Sequence, residues 1–175
     1  MAQVITIANR KGGVGKTTTT LNLAYSLKEL GKKVLVIDLD PQANLTRCFD
    51  VGNSENIKTV GHLLTAELEE ESYSVEEYIL SYDEMDIIPS SIFLSAVETQ
   101  MRSETGSERI LSEIINQIRE HYDYILIDTS PSLNILNINA LCASDSVLIT
   151  ADTGVFAVVG IGELLKTVQK IKKRV

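Results

Sequence analysis

The chain has no tryptophan, only two cysteines and three prolines, and no apolar run of the roughly 18 residues a membrane-spanning helix needs. No transmembrane segment is expected. Cys48 and Cys142 are far apart and share no metal-type spacing, which excludes a disulfide framework and a thiolate metal site. Both read as reduced, cytosolic thiols. The start, MAQVITIANR, runs directly into an apolar segment without a charged leader region, so no secretory signal is expected. Positive charge is in deficit, with a formal net charge of −8. That argues against a protein coated in positive potential, yet leaves room for a local basic patch on nucleic acid. His62 and His121 lack nucleophile or ligand partners nearby in sequence, so neither is a candidate catalytic group. No repeat, low-complexity tract or linker divides the chain.

What is present fits one globular domain over residues 1–175, with 44% hydrophobic and 23% charged residues. Short apolar runs alternate with helical patterns throughout. Strands are expected around Val4–Ala8, Val34–Ile37, Asp86–Pro89, Tyr124–Ile127 and Val147–Ile149. The runs are continuous rather than alternating in polarity, as in strands covered on both faces. Leu23, Leu27 and Leu30 mark a first helix, closed at Gly31 and followed by Lys32 and Lys33. Ile110, Leu111, Ile114, Ile115 and Ile118 mark another, preceded by a Thr105–Glu108 capping box. Leu164, Leu165, Val168 and Ile171 mark a third. The alternation predicts an α/β fold: a doubly wound, mostly parallel sheet with helices on both faces. Residues 50–85 read as short helices and loops, and the glutamates at 67, 69, 70, 71, 76 and 77 as a solvated surface.

Three segments carry chemistry. Lys11-Gly12-Gly13-Val14-Gly15-Lys16-Thr17-Thr18 follows the first apolar run and opens the first helix. It matches G-x-x-x-x-G-K-[ST] except that Arg10 occupies the first glycine position. Its small residues let backbone N–H groups curl around a phosphate at a helix N-terminus, Lys16 brings a cation to the β/γ oxygens, and Thr17 a hydroxyl for Mg²⁺. Asp38-Leu39-Asp40-Pro41-Gln42-Ala43-Asn44 follows the second strand. Acids spaced i, i+2 at a strand end suit the orientation of water and Mg²⁺ around a γ-phosphate. Asp128 ends the Tyr124–Ile127 run, where an aspartate holds Mg²⁺.

Together KGGVGKTT, DLDPQAN and the Asp128 strand with Pro131-Ser132-Leu133 resemble the ParA/MinD family of deviant Walker A ATPases, most closely its ParA-type partition proteins. The resemblance implies a P-loop domain binding ATP and Mg²⁺ and hydrolysing ATP slowly. Lys11 becomes the lysine that crosses a dimer to the partner's nucleotide, Lys16 the one acting in its own chain. Asp40 positions or activates water, and Asp38 supports the Mg²⁺ shell formed with Thr17 and Asp128. It further implies an ATP-dependent homodimer, non-specific duplex DNA and a ParB-like stimulating protein as partners, and a cytoplasmic, nucleoid-associated location.

Ile88-Pro89-Ser90-Ser91 with Leu94 is similar to a softer family segment. Ser130 stands where the family's switch II carries a proline, and Asp152-Thr153-Gly154-Val155-Phe156 where it carries a Gln-Pro-Glu-rich segment, with Gly160 matching a following glycine. ParA-like domains continue beyond the point where Lys172-Lys173-Arg174-Val175 falls, so a domain lacking the family's C-terminal strands and helices is expected. Lys166, Lys170 and Lys173, with Lys172 and Arg174, form either a DNA-contacting face or a solvated one. The alternative reading is a MinD-like membrane-surface ATPase that regulates cell division or positions a protein assembly; its C-terminal amphipathic helix is not visible. A nitrogenase-type iron protein would need cluster cysteines, and Cys142 reads as a packed helix residue. A bacterial tyrosine kinase relative would carry a C-terminal tyrosine cluster, and the last tyrosine here is Tyr124.

Overall fold

In a computed structural model, residues 1–49, 57–153 and 155–172 are described, the side chains of 155–159 and 172 excepted. Among the described residues six strands form one sheet: β1 (Gln3–Ala8), β2 (Val34–Leu39), β3 (Leu80–Tyr82), β4 (Met85–Ile88), β5 (Tyr124–Thr129) and β6 (Ser146–Ile149), in the order β3-β4-β2-β5-β1-β6. Every pairing is parallel except the β3–β4 hairpin at one edge. The helices are α1 (Lys16–Glu29), α2 (Val60–Leu68), α3 (Leu94–Met101), α4 (Ile110–Ile118), α5 (Ile135–Ala143) and α6 (Val155–Lys172).

Strand alternation divides the core between the two faces. Along β2, Leu35, Ile37 and Leu39 join the cluster built with α2, α3, α4 and α5, while Val34 and Val36 join Ala24, Leu23 and Leu27 of α1. All six β2 residues are buried, which explains why every one but Asp38 is apolar. The five apolar residues expected on α4 are all buried. The fold is thus the doubly wound, mostly parallel sheet that the sequence predicts.

Four local expectations need correction. The Thr105–Glu108 capping box is not formed: Gly106 (φ 84°) precedes a 3₁₀ turn over Ser107–Arg109, without a side-chain cap, and this turn leads into α4. The capping box instead opens α2, where the Thr59 N–H donates to His62 Nδ1 (3.2 Å). Leu30 and Leu165 are exposed: Leu30 is the C-cap residue past the end of α1, and Leu165 is turned about 100° from the buried Leu164 on α6. Residues 57–85 hold α2 and the edge strand β3 as well as loops; residues 50–56 fall outside the described residues. The β3–β4 hairpin turns on Asp83 (φ 46°) and Glu84 (φ 59°), and Asp83 pairs with Lys28 of α1 at 2.9 Å. Both turn residues take the left-handed conformation that such a hairpin normally gives to Asn-Gly.

Leu111 is fully buried in the α4 face of the core. Leu111→Ala is expected to lower the unfolding free energy by about 3 kcal/mol at an unchanged denaturant slope, as read by urea titration.

Candidate functional site

The carboxyl ends of β1, β2 and β5 converge where ligands gather in such sheets. The loop from β1 to α1 is built on Gly13 (φ 73°) and Gly15 (φ 82°), conformations that a side chain would strain. The loop and the ends of β2 and β5 enclose a hollow of about 490 Å³, lined among others by Gly12, Lys16, Thr17, Asp40, Asn44 and Pro131. Gly15 stands at the N-cap of α1 without a side-chain cap, so the first-turn N–H groups are unclaimed by one. Lys16 is only 7% exposed, and its Nζ donates to the Lys11 carbonyl (3.2 Å). Burial pulls its pKa down, against the opposing charges of Asp128 and Asp40.

Thr17 and Asp128 are brought together: Thr17 Oγ1 donates to Asp128 Oδ2 at 2.7 Å. Thr20, which the sequence reading passed over, donates to Asp128 Oδ1 (3.3 Å) one helical turn on. The pairing of β2 with β5 sets Asp38 level with Asp128 on the neighbouring strand. Asp38 does not line the hollow. Its Oδ2 accepts from the Thr46 N–H (2.8 Å) and Thr46 Oγ1 (2.7 Å), and its Oδ1 from the Asp40 N–H (3.1 Å). Asp40 does line the hollow, with Oδ1 accepting from the Gln42 N–H (2.9 Å).

Burial raises both inner carboxyls. Asp128 is pushed up to about 7, with the Asp38 charge adding to burial and Thr17, Thr20 and Lys16 opposing it. Asp38 is pushed up to about 6 by burial, against its bonds from Thr46 and Asp40. Two buried acids against one ammonium is a donor set short of positive charge. Among the described residues no cluster of three or more His, Cys, Asp or Glu could hold a metal. The Thr17–Asp128 pair fits the sparse protein ligation of Mg²⁺, which takes its remaining oxygens from phosphate and water.

Lys11 stands apart from this cradle. Its Nζ is ion-paired with Asp152 beyond β6, and its side chain is about half exposed. Arg10, in the position of the missing glycine, pairs with Glu163 of α6. In the loop after β5, the Asn137 side-chain amide donates to the Ser130 carbonyl (3.0 Å) and to that of Ser132, so Ser130 and Pro131 sit in a turn tied to α5. Lys166 and Lys170 are exposed on α6; Gly154, Lys173 and Arg174 fall outside the described residues, as does the Lys172 side chain.

A family model described as an AAA domain matches residues 2–175. The chain is 44% identical to an uncharacterized protein of Methanocaldococcus jannaschii, over 97% of its own length and 66% of that protein's. It is 37% identical to the sporulation initiation inhibitor protein Soj of Bacillus subtilis (99% and 67%) and 35% to the chromosome partitioning protein ParA of Caulobacter vibrioides (97% and 63%). Among solved structures it is similar to a cobyrinic acid a,c-diamide synthase of Mycobacterium smegmatis with bound ATP analogue and magnesium (TM-score 0.89, 29% identity, 99% of this chain and 69% of that one). A plasmid partition protein of Borrelia burgdorferi matches with a TM-score of 0.86 and 32% identity, over 97% and 73% of the two chains. The chain spans between about half and two thirds of the length of the curated relatives it matches.

The raised carboxyls fix a pH dependence. A folded-state pKa above the ordinary carboxylate value means the fold keeps protons that the unfolded chain has released. This contribution to stability is complete below about pH 4 and lost as pH climbs through 6 to 7. In EDTA, Asp128→Asn should therefore melt above the unsubstituted protein at pH 8 and close to it at pH 5. A difference that does not grow with pH contradicts the assignment.

Proposed function

Since the chain belongs to the ParA/MinD family of P-loop ATPases, we propose that it is an ATP-driven dimerisation switch for the partitioning of DNA, chromosomal or plasmid. The observation that carries the reading is the joint placement of Lys16, Thr17 and Asp40 around one hollow, with Lys11 outside it and turned outward. The loop N–H groups and Lys16 hold the β- and γ-phosphates of ATP, while Thr17 and Asp128 hold Mg²⁺, with Asp38 behind Asp128. Bound there, Mg²⁺ neutralises charge on the phosphate oxygens. Asp40 orients the attacking water. Lys11 exchanges Asp152 for the nucleotide of a second subunit, so ATP stabilises the dimer by the difference in its affinity for the two states.

The dimer binds duplex DNA through phosphate contacts without sequence preference, with Lys166 and Lys170 as candidate contacts, and a ParB-like protein stimulates hydrolysis and release. Soj and ParA among the relatives, and the plasmid partition protein among the structures, support this class. Among the described residues no helix is long and apolar enough to cross a membrane.

Co-sedimentation with random-sequence duplex DNA tests the switch. Retention in ATP but not ADP, weakening as salt rises, is the expected result; equal retention in both nucleotides overturns it. Asp40→Ala should bind ATP and persist as a dimer, seen as doubled mass in light scattering, with turnover reduced at least about a hundredfold. Normal turnover in that variant removes Asp40 from the mechanism.

A further inference from the structure

Asp40 leaves β2 on a turn, and a turn alone is a poor way to aim a carboxylate. Here its main chain is gripped from both sides. The Asp40 N–H donates to Asp38 Oδ1 (3.1 Å), and the Asp40 carbonyl accepts from Ser90 Oγ (2.8 Å) and from the Ala43 N–H (2.9 Å). The two grips are joined behind the site. Thr46 Oγ1 donates to Asp38 Oδ2 (2.7 Å) and accepts from the Ser90 N–H (2.9 Å). The bonds thus close a ring: Asp38, Thr46, Ser90, Asp40 and back to Asp38. Asp38 is wholly buried and Ser90 is 5% exposed, so water competes little for these groups. The ring ties the end of β2 and the nearby 3₁₀ turn at Thr46–Cys48 to the exit of β4, 44 residues beyond Thr46.

We propose that Thr46 and Ser90 are positioning residues that hold Asp40 at the angle required for water attack. Thr46 serves by its hydroxyl, which is donor to Asp38 and acceptor from Ser90 at once; valine has the same shape and neither capacity. Serine has both. Ser90 serves by the bond from its own hydroxyl to the Asp40 carbonyl. Neither residue lines the hollow, so neither contributes to holding phosphate. Their removal acts on the rate and not on the affinity. The inference rests on the reading of Asp40 as the residue that orients water, and its test separates the two.

Thr46→Val, Thr46→Ser, Ser90→Ala and Asp40→Ala are compared in nucleotide affinity, in steady-state ATP hydrolysis, and in amide hydrogen exchange of the nucleotide-free protein. Thr46→Val and Ser90→Ala should lose roughly ten- to a hundredfold in kcat, the scale of a small misplacement of a reacting group, while ATP affinity stays within about twofold. Thr46→Ser should recover most of the rate. Exchange at the Asp40 and Ser90 amides should quicken in Thr46→Val and not in Thr46→Ser. Asp40→Ala that hydrolyses ATP normally overturns the reading of Asp40 and with it the catalytic part of the inference. If Asp40→Ala is inactive while Thr46→Val and Ser90→Ala turn over at the unsubstituted rate, the ring is overturned alone. Loss of rate and ATP affinity in parallel, without rescue by serine, also overturns it, because that pattern marks a general loss of structure. Ser90→Ala leaves the Thr46 bonds to Asp38 in place, so it remains informative where Thr46→Val fails to fold.

Discussion

Two carboxylates at neighbouring strand ends, both inside the protein, set the terms for everything around them. Asp38 and Asp128 are level in the sheet, and burial resists the charge on each. The surroundings answer with hydroxyls: Thr17 and Thr20 on Asp128, Thr46 on Asp38. Lys16 adds one ammonium, itself held below its usual basicity by burial. The threonine run after the glycine loop is therefore more than helix sequence, because two of its four members face the same carboxylate. Hydroxyls can share hydrogen bonds with a buried acid but cannot neutralise it. The arrangement remains acceptor-rich, which is the electrostatic preparation that a divalent cation and its phosphate ligands call for.

Much of this was legible in the sequence, because the residues concerned act where they stand. A glycine loop between a strand and a helix, and acids at the ends of apolar runs, declare their positions through local pattern alone. The parallel sheet was legible for the same reason, since strands buried on both faces leave continuous apolar runs. The β3–β4 hairpin was hidden because Asp83-Glu84 lacks the glycine that usually marks such a turn. Thr46 and Ser90 were hidden for a different reason. The Ser90 bonds arise only when β4 comes to lie beside β2, and a threonine in the loop eight residues after Asp38 carries no signal that it will turn back to that carboxylate.

The glycine loop is also fastened on the side away from Asp40. Arg10 and Lys11 each hold an acid beyond β6, Glu163 and Asp152, and Asn9 donates to the Thr150 carbonyl. Pairs as exposed as these contribute about 0–1 kcal/mol each, so they place the two cations without committing them. An ion pair of that strength suits a lysine whose proposed task lies in another subunit. The buried hydrogen bonds around Asp38 have the opposite character, being shielded from water and joined to one another.

The level placement of Asp38 and Asp128 has a further consequence for how the molecule can fail. Side chains alternate between the faces of a strand, so a slip of one residue between β2 and β5 sends every side chain of the slipped strand from one helix-covered face to the other and misfits both halves of the core. The same slip would carry Asp38 out of level with Asp128 and disturb the site built on the two carboxyls. Folding errors and loss of function thus share a single origin in strand alignment. A chain with β2 displaced lacks the assembled hollow, and the fraction of protein with that hollow intact becomes a census of correctly aligned sheets.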